Sequence, residues 1–258
     1  MERTKFLILP AVMLISSCTG CMIKEKSSLL LEAEFCYAAE TTDYRHITIA
    51  YPSFAENTAV NAAVKEFTGQ MICEYIEGSW APEEGAPEAA IQFDLPECPE
   101  QDEDTVLWVE MDCSVTRQDA GFISIFFEGI FNVKGTAHPT HIAEGLILDA
   151  KTGEIQHLSD LYTVDEAFAE SVCEYFHEHG AEQHAQKLGI SAEEVPAETF
   201  AETPELMLEW LLHYEEPYTT TTVFMYPDAL AFSLPVGHAL GDHSEIRIPY
   251  DQLEQFAR

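Results

Sequence analysis

The sequence predicts an α+β protein in which antiparallel sheet packs against two or three longer helices, with a short helix at the C-terminus. Three observations carry that expectation. Residues 107–133 alternate apolar and polar on both sides of a turn, the period-two pattern of a hairpin with one buried face. Residues 60–75 repeat apolar side chains at steps of three and four, the period of an amphipathic helix. Strand-like segments outnumber helical ones, without the regular strand–helix alternation that a parallel sheet requires.

The chain begins with what reads as a sorting signal. Met1 to Lys5 is a short charged start, and the uncharged stretch Phe6–Ser17 is too short to span a bilayer, which needs about 20 residues. It closes on Ile15-Ser16-Ser17-Cys18, which resembles the lipobox of bacterial lipoproteins. Residues 1–17 are therefore expected to be a lipoprotein signal peptide and Cys18 the site of lipid attachment. The alternatives are an ordinary signal peptide, or cleavage before Cys21. Residues 18–30 read as a tether, and the mature protein is expected on the extracytoplasmic face of the cell membrane, anchored but not spanning it.

Strand-like text then runs from about Leu31 to Tyr51. A helix follows over roughly Glu56–Glu77, with Val60, Ala63, Val64, Phe67, Met71 and Tyr75 on one stripe and Asn57 or Thr58 as cap. Gly78–Asp104 is proline-rich and acidic and reads as a long surface loop. Its Glu100–Asp104 end lacks the spacing of an EF-hand calcium loop, so a solvated charge run is expected there.

The hairpin comes next, with Leu107, Val109, Met111, Cys113 and Val115 on one arm and Ile123, Ile125, Phe127, Phe131 and Val133 on the other. A third strand over Thr140–Asp149 turns at Lys151-Thr152-Gly153. Thr163-Val164-Asp165-Glu166 has the form of a capping box, opening a helix with Phe168, Val172, Tyr175 and Phe176 on one face. Ile190–Glu202 reads as an irregular acidic link, and Thr203-Pro204-Glu205 as a cap with proline at the first helical position. Strands are expected near 220–225, 230–234 and 245–248, and a short helix at 250–256. The folded unit is residues 31–258, with a possible division into 31–118 and 119–258.

Composition narrows the function. The 258 residues are 47% hydrophobic, ample for a core, and carry 46 Asp and Glu against 12 Lys and Arg, a net charge of −34. Such a surface repels phosphate backbones and anionic lipid heads, which excludes nucleic acid as a natural partner. It attracts cationic proteins. Six cysteines besides Cys18 permit three disulfides, and spacing leaves both the pairing and the free-thiol alternative open, although Cys98 with Cys113 and Cys36 with Cys73 are within reach.

Three stretches together resemble a known family. They are Tyr51-Pro52-Ser53-Phe54 with Asn61-Ala62-Ala63-Val64; Phe127-Glu128-Gly129, Gly135-Thr136-Ala137-His138-Pro139 and Glu144–Asp149 continuing to Tyr162; and Ile246–Leu253. They resemble the extracellular domain shared by RsiV-type lysozyme-sensing anti-sigma factors and PdaC-type cell-wall deacetylases, where it is non-catalytic. The match lies in the sensing or adaptor domain alone, here expected as a stand-alone lipoprotein. The resemblance implies a binding role for the loop of Gly135, His138 and Pro139, and a cationic protein such as lysozyme or a wall hydrolase as partner.

No nucleophile elbow, zinc-protease helix or phosphate loop is present, and no cofactor or metal is expected. His138 with His141 reads as part of a turn, and His177, His179 and His184 as a solvated helix end. Glu128 and Glu144 are the one candidate acid/base pair, since neighbouring strands bring carboxylates to glycosidase-like separations. The expectation is a non-enzymatic envelope protein that binds a partner. The alternative is a cell-wall glycan-binding adaptor, with Trp80 as a stacking platform, or a weak glycan hydrolase.

Overall fold

The computed structural model describes residues 32–78, 90–100, 105–214 and 221–258. Its strands are β1 (Ala33–Thr41), β2 (Arg45–Phe54), β3 (Gln92–Leu95), β4 (Leu107–Gln118), β5 (Phe122–Val133), β6 (Thr140–Asp149), β7 (Thr222–Met225), β8 (Ala229–Pro235) and β9 (His243–Pro249). Its helices are α1 (Thr58–Gly78), α2 (Leu158–Leu161), α3 (Glu166–Leu188), α4 (Pro204–His213) and α5 (Tyr250–Leu253), the last continued by a 3₁₀ turn to Phe256. The α+β class is as expected.

Six strands form one sheet in the order β3-β1-β2-β4-β5-β6, and three form a second in the order β7-β8-β9. Pairing is antiparallel except between β2 and β4. The parallel pair arises because α1 and β3 intervene, so the chain crosses over before it returns as β4. The hairpin turn at residues 118–121 lies inside the larger sheet, joining β4 to β5 along their whole length. Asp119 holds that turn, accepting from the Gly121 and Phe122 amides at 2.7 and 3.0 Å.

Alternation decides which layer each side chain enters. Ile47, Ile49, Val109, Met111, Ile125, Phe127, Leu146 and Leu148 share one face and pack against Val60, Val64, Met71 and Ile72 of α1. On the opposite face Phe126 stacks on Phe224 of β7 with ring centroids 4.2 Å apart, and the Met225 amide donates to Ser124 Oγ at 2.8 Å. The far side of the second sheet presents Val223, Phe232, Leu234, Ile246 and Ile248 to Phe168, Val172 and Phe176 of α3 and to Met207 and Leu211 of α4. The layers therefore run α1, large sheet, small sheet, α3 with α4.

Several local expectations shift. The single stretch expected over 31–51 is two strands, because Thr42 Oγ1 accepts from the Arg45 amide at 2.9 Å and closes a turn. The long acidic loop contains an edge strand, β3, pinned where Tyr51 Oη donates to Asp94 and Lys65 Nζ reaches the same carboxylate at 2.7 Å. Asp165, not Thr163, caps α3 by accepting from the Phe168 amide, since the Thr163 amide is tied to the Phe256 carbonyl. Asn57 and Thr203 cap α1 and α4 as expected.

The two sheets come into close contact at Gly145. A Cβ there would run into the Val223 carbonyl and Thr222 Oγ1, so no larger residue fits without separating the layers. Gly145→Ala is accordingly expected to destabilise the fold by about 1–3 kcal/mol, the usual cost of overpacking, read as a lower urea midpoint.

Candidate functional site

The loop that carries the resemblance, Gly135 to Pro139, joins β5 to β6 and is exposed throughout. Gly135 turns it with a φ of 99° in open space. The chain then brings His138 against a residue one hundred positions away: its ring lies 5.2 Å, centroid to centroid, from that of His238. Asp242 ties this pair of loops together. It accepts from the His141 amide and from His238 Nδ1, each at 2.8 Å. Its backbone has a φ of 65°, directly after Gly241 at 96°, and an Asp held in this region marks a position that the surrounding contacts determine. Burial pushes the Asp242 carboxyl up, but the hydrogen bonds from His141 and His238 outweigh it and hold it below the usual carboxylate range. His243 follows on β9, its ring 3.3 Å from Ser233 Oγ, with its basicity reduced by burial.

Sequence reasoning found half of this arrangement. His138 and His141 were visible as a short-range pair, whereas Gly237–His243 carried no local pattern that pointed to them. The signal was the second pair of histidines, His238 and His243, with Asp242 directly after Gly241 between them. Among the described residues no group of three or more His, Cys, Asp or Glu side chains is placed to hold a metal ion. The arrangement fastens two loops and presents imidazoles to solvent.

Glu128 and Glu144 are not a pair. The register sets Glu128 opposite Ala143 and Glu144 opposite Phe127, so the carboxylates leave opposite faces of the sheet. Glu128 is exposed on the side of β7. Glu144 points among the residues under α1, close to Tyr75 and Glu74. Burial, and then the Glu74 charge, push its pKa up to about 8. His184 also departs from expectation: it is 1% exposed, packed beside Phe200, and burial lowers its pKa, whereas His177 is exposed.

The described cysteines, Cys36, Cys73, Cys98, Cys113 and Cys173, are all free. Cys36 packs at the edge of the core under α1, while Cys73 is on the exposed side of that helix, which separates one of the two pairs considered. Cys18, Cys21, Trp80 and most of the Glu100–Asp104 run lie outside the described residues. No helix among those described is long and apolar enough to cross a membrane.

Charge is distributed unevenly. Glu166, Glu170, Glu174, Glu178 and Glu182 recur every four residues along α3, and all five are exposed. Each four-residue step turns the helix by about 40°, so the row winds slowly along its outer surface. Like charges four apart cost a helix about 0.2–0.5 kcal/mol per pair, and Lys187 is the one basic residue other than histidine on α3. Three arginines are engaged within the molecule. Arg45 is buried on Glu40 at 2.8 Å, and Arg117 lies between Asp119, Phe122 and Tyr250. Arg247 sits over the Tyr226 ring and pairs with Glu245.

No family model and no curated protein matches the chain. Solved structures do. A DUF3298 family protein from Pseudomonas aeruginosa superposes with a TM-score of 0.50 at 12% identity, covering 88% of this chain and 94% of that one. A DUF3298 member from Bacteroides fragilis gives 0.44 at 14% identity, over 89% and 95%. The structural neighbours are DUF3298 proteins. At such identities the likeness is one of fold, and the DUF3298-like frame leaves the residues of the His138–Asp242 cluster and the α3 glutamates to be read on their own chemistry.

Two outcomes follow. Because the folded chain binds the Glu144 proton more tightly than the unfolded one, that contribution is complete below the usual 4.5 and is lost as pH rises through about 8. Glu144→Gln should therefore resist alkaline destabilisation, the gap from the parent chain widening by at most about 1.4 kcal/mol per pH unit in urea titrations taken from pH 6 to 9. Asp242→Ala should cost about 1–3 kcal/mol, because it leaves the His141 amide and the His238 ring without their acceptor. A midpoint equal to wild type would show that the two loops do not depend on it.

Proposed function

We propose that this chain is a lipid-anchored binding protein of the cell envelope, attached through Cys18 on the extracytoplasmic face, whose α+β domain engages a cationic protein such as lysozyme or a wall hydrolase. The observation that carries the reading is the exposed glutamate row of α3 on a body of net charge −34, with Arg45, Arg117 and Arg247 already engaged by internal carboxylates and rings. Charge of one sign along an accessible surface accelerates encounter with an opposite partner by about 10- to 1,000-fold. The exposed Gly135, His138 and Pro139 loop supplies a second contact region, as the family resemblance implies. Separation of Glu128 from Glu144 removes the acid/base pair on which the glycan-hydrolase alternative rested.

The immobilised mature protein should retain lysozyme at low salt and release it as ionic strength rises past roughly 0.15 M, where the Debye length falls to about 8 Å. Passage of lysozyme without retention at every salt concentration would sink the reading. Salt-insensitive retention on purified wall material would replace it with the glycan adaptor. Mass spectrometry of the mature N-terminus should find an acylated Cys18.

A further inference from the structure

Beside the first turns of α3, α4 leaves an open groove of about 610 Å³. Val164, Ala167, Leu208 and Leu212 give it apolar lining, and Glu166 and Glu170 stand at its edge. The apolar side chains of α4 are only partly used by the fold. Met207 and Leu211 are buried in the core, whereas Leu212 is 56% exposed and Leu206 39%. No basic residue lines the groove. Asp165 at its end is occupied as the α3 cap. From Glu166 the carboxylate row continues to Glu182, a rise of about 24 Å at 1.5 Å per residue.

An apolar trough continuous with a line of carboxylates at one-turn spacing is complementary to a particular shape of partner. A helix with leucine-like side chains on one face and Lys or Arg along its flank at four-residue intervals places its apolar face on Leu208 and Leu212 and its cations opposite Glu166, Glu170 and Glu174. The same carboxylates repel an acidic helix, a nucleic acid strand or an anionic lipid surface. We infer that the α3–α4 groove is the docking site for a cationic amphipathic helix presented by the partner protein. This rests on the reading that the partner is cationic, and it adds where that partner binds and which secondary structure it offers.

The test uses the full mature chain and two probes: a helix-forming Leu/Lys peptide of about five turns with one leucine face, and an oligolysine of equal charge. Leu212→Ser removes apolar surface at a half-exposed position without changing charge. It should weaken the Leu/Lys peptide by about tenfold in fluorescence anisotropy titrations and leave oligolysine within about twofold. Glu166→Gln with Glu170→Gln should weaken both probes, and the exposed pair Glu193→Gln with Glu198→Gln should weaken neither. Wild-type affinity of the Leu/Lys peptide for the Leu212→Ser chain, or equal losses from the two glutamate pairs, would overturn the groove while cation binding in general stood. Failure of both probes to bind the unmutated chain at low salt would remove the cationic-partner reading together with the groove.

Discussion

The close contact of the two sheets at Gly145 is the constraint on which the rest of the architecture depends. Only a residue without Cβ lets β6 pass the backbone of β7, and that approach is what allows Phe126 to stack on Phe224 and Ser124 to receive the Met225 amide. Once the sheets are seated, their outer faces are committed in opposite directions. One is closed by α1, the other by α3 and α4, and two separate aliphatic and aromatic cores form on either side.

The same layering sorts the charges. A chain with 12 basic and 46 acidic residues cannot pair its carboxylates, and it spends several of its cations on internal structure. Arg45 closes a buried pair with Glu40, and Arg117 bridges the β4–β5 turn to Tyr250 at the C-terminal helix. What remains outside is predominantly acidic. On α3 this excess is ordered into a row, because the inward positions at Phe168, Val172 and Phe176 belong to the core and the outward ones fall to glutamate. At the other loop cluster the exposed rings of His138 and His238 gather around Asp242.

Local pattern was a good guide wherever the determinant lay within a few residues. The β4–β5 hairpin, β6, α1 with its Asn57 cap and α4 with its Thr203 cap all stand where alternation and capping chemistry put them. The failures share a cause. Thr163 reads as the head of a capping box until the C-terminal segment claims its amide and Asp165 takes the cap. β3 looks like loop until Tyr51 and Lys65, both distant in sequence, capture Asp94. Glu128 and Glu144 look like partners until the register of β5 on β6 is known, and a shift of one residue decides between facing and opposed carboxylates.

The sequence alone determined the α+β class, the period of each main element and the large negative charge, because each is a property of composition or of neighbouring positions. Tertiary structure decided the parallel β2–β4 pair, the meeting of His138 with His238 across Asp242, the placement of Glu144 beside Glu74 under α1 and the groove that leaves Leu212 uncovered. Those features arise from contacts between segments tens of residues apart, where the energy of packing, which no local pattern records, chooses among neighbours of equal propensity.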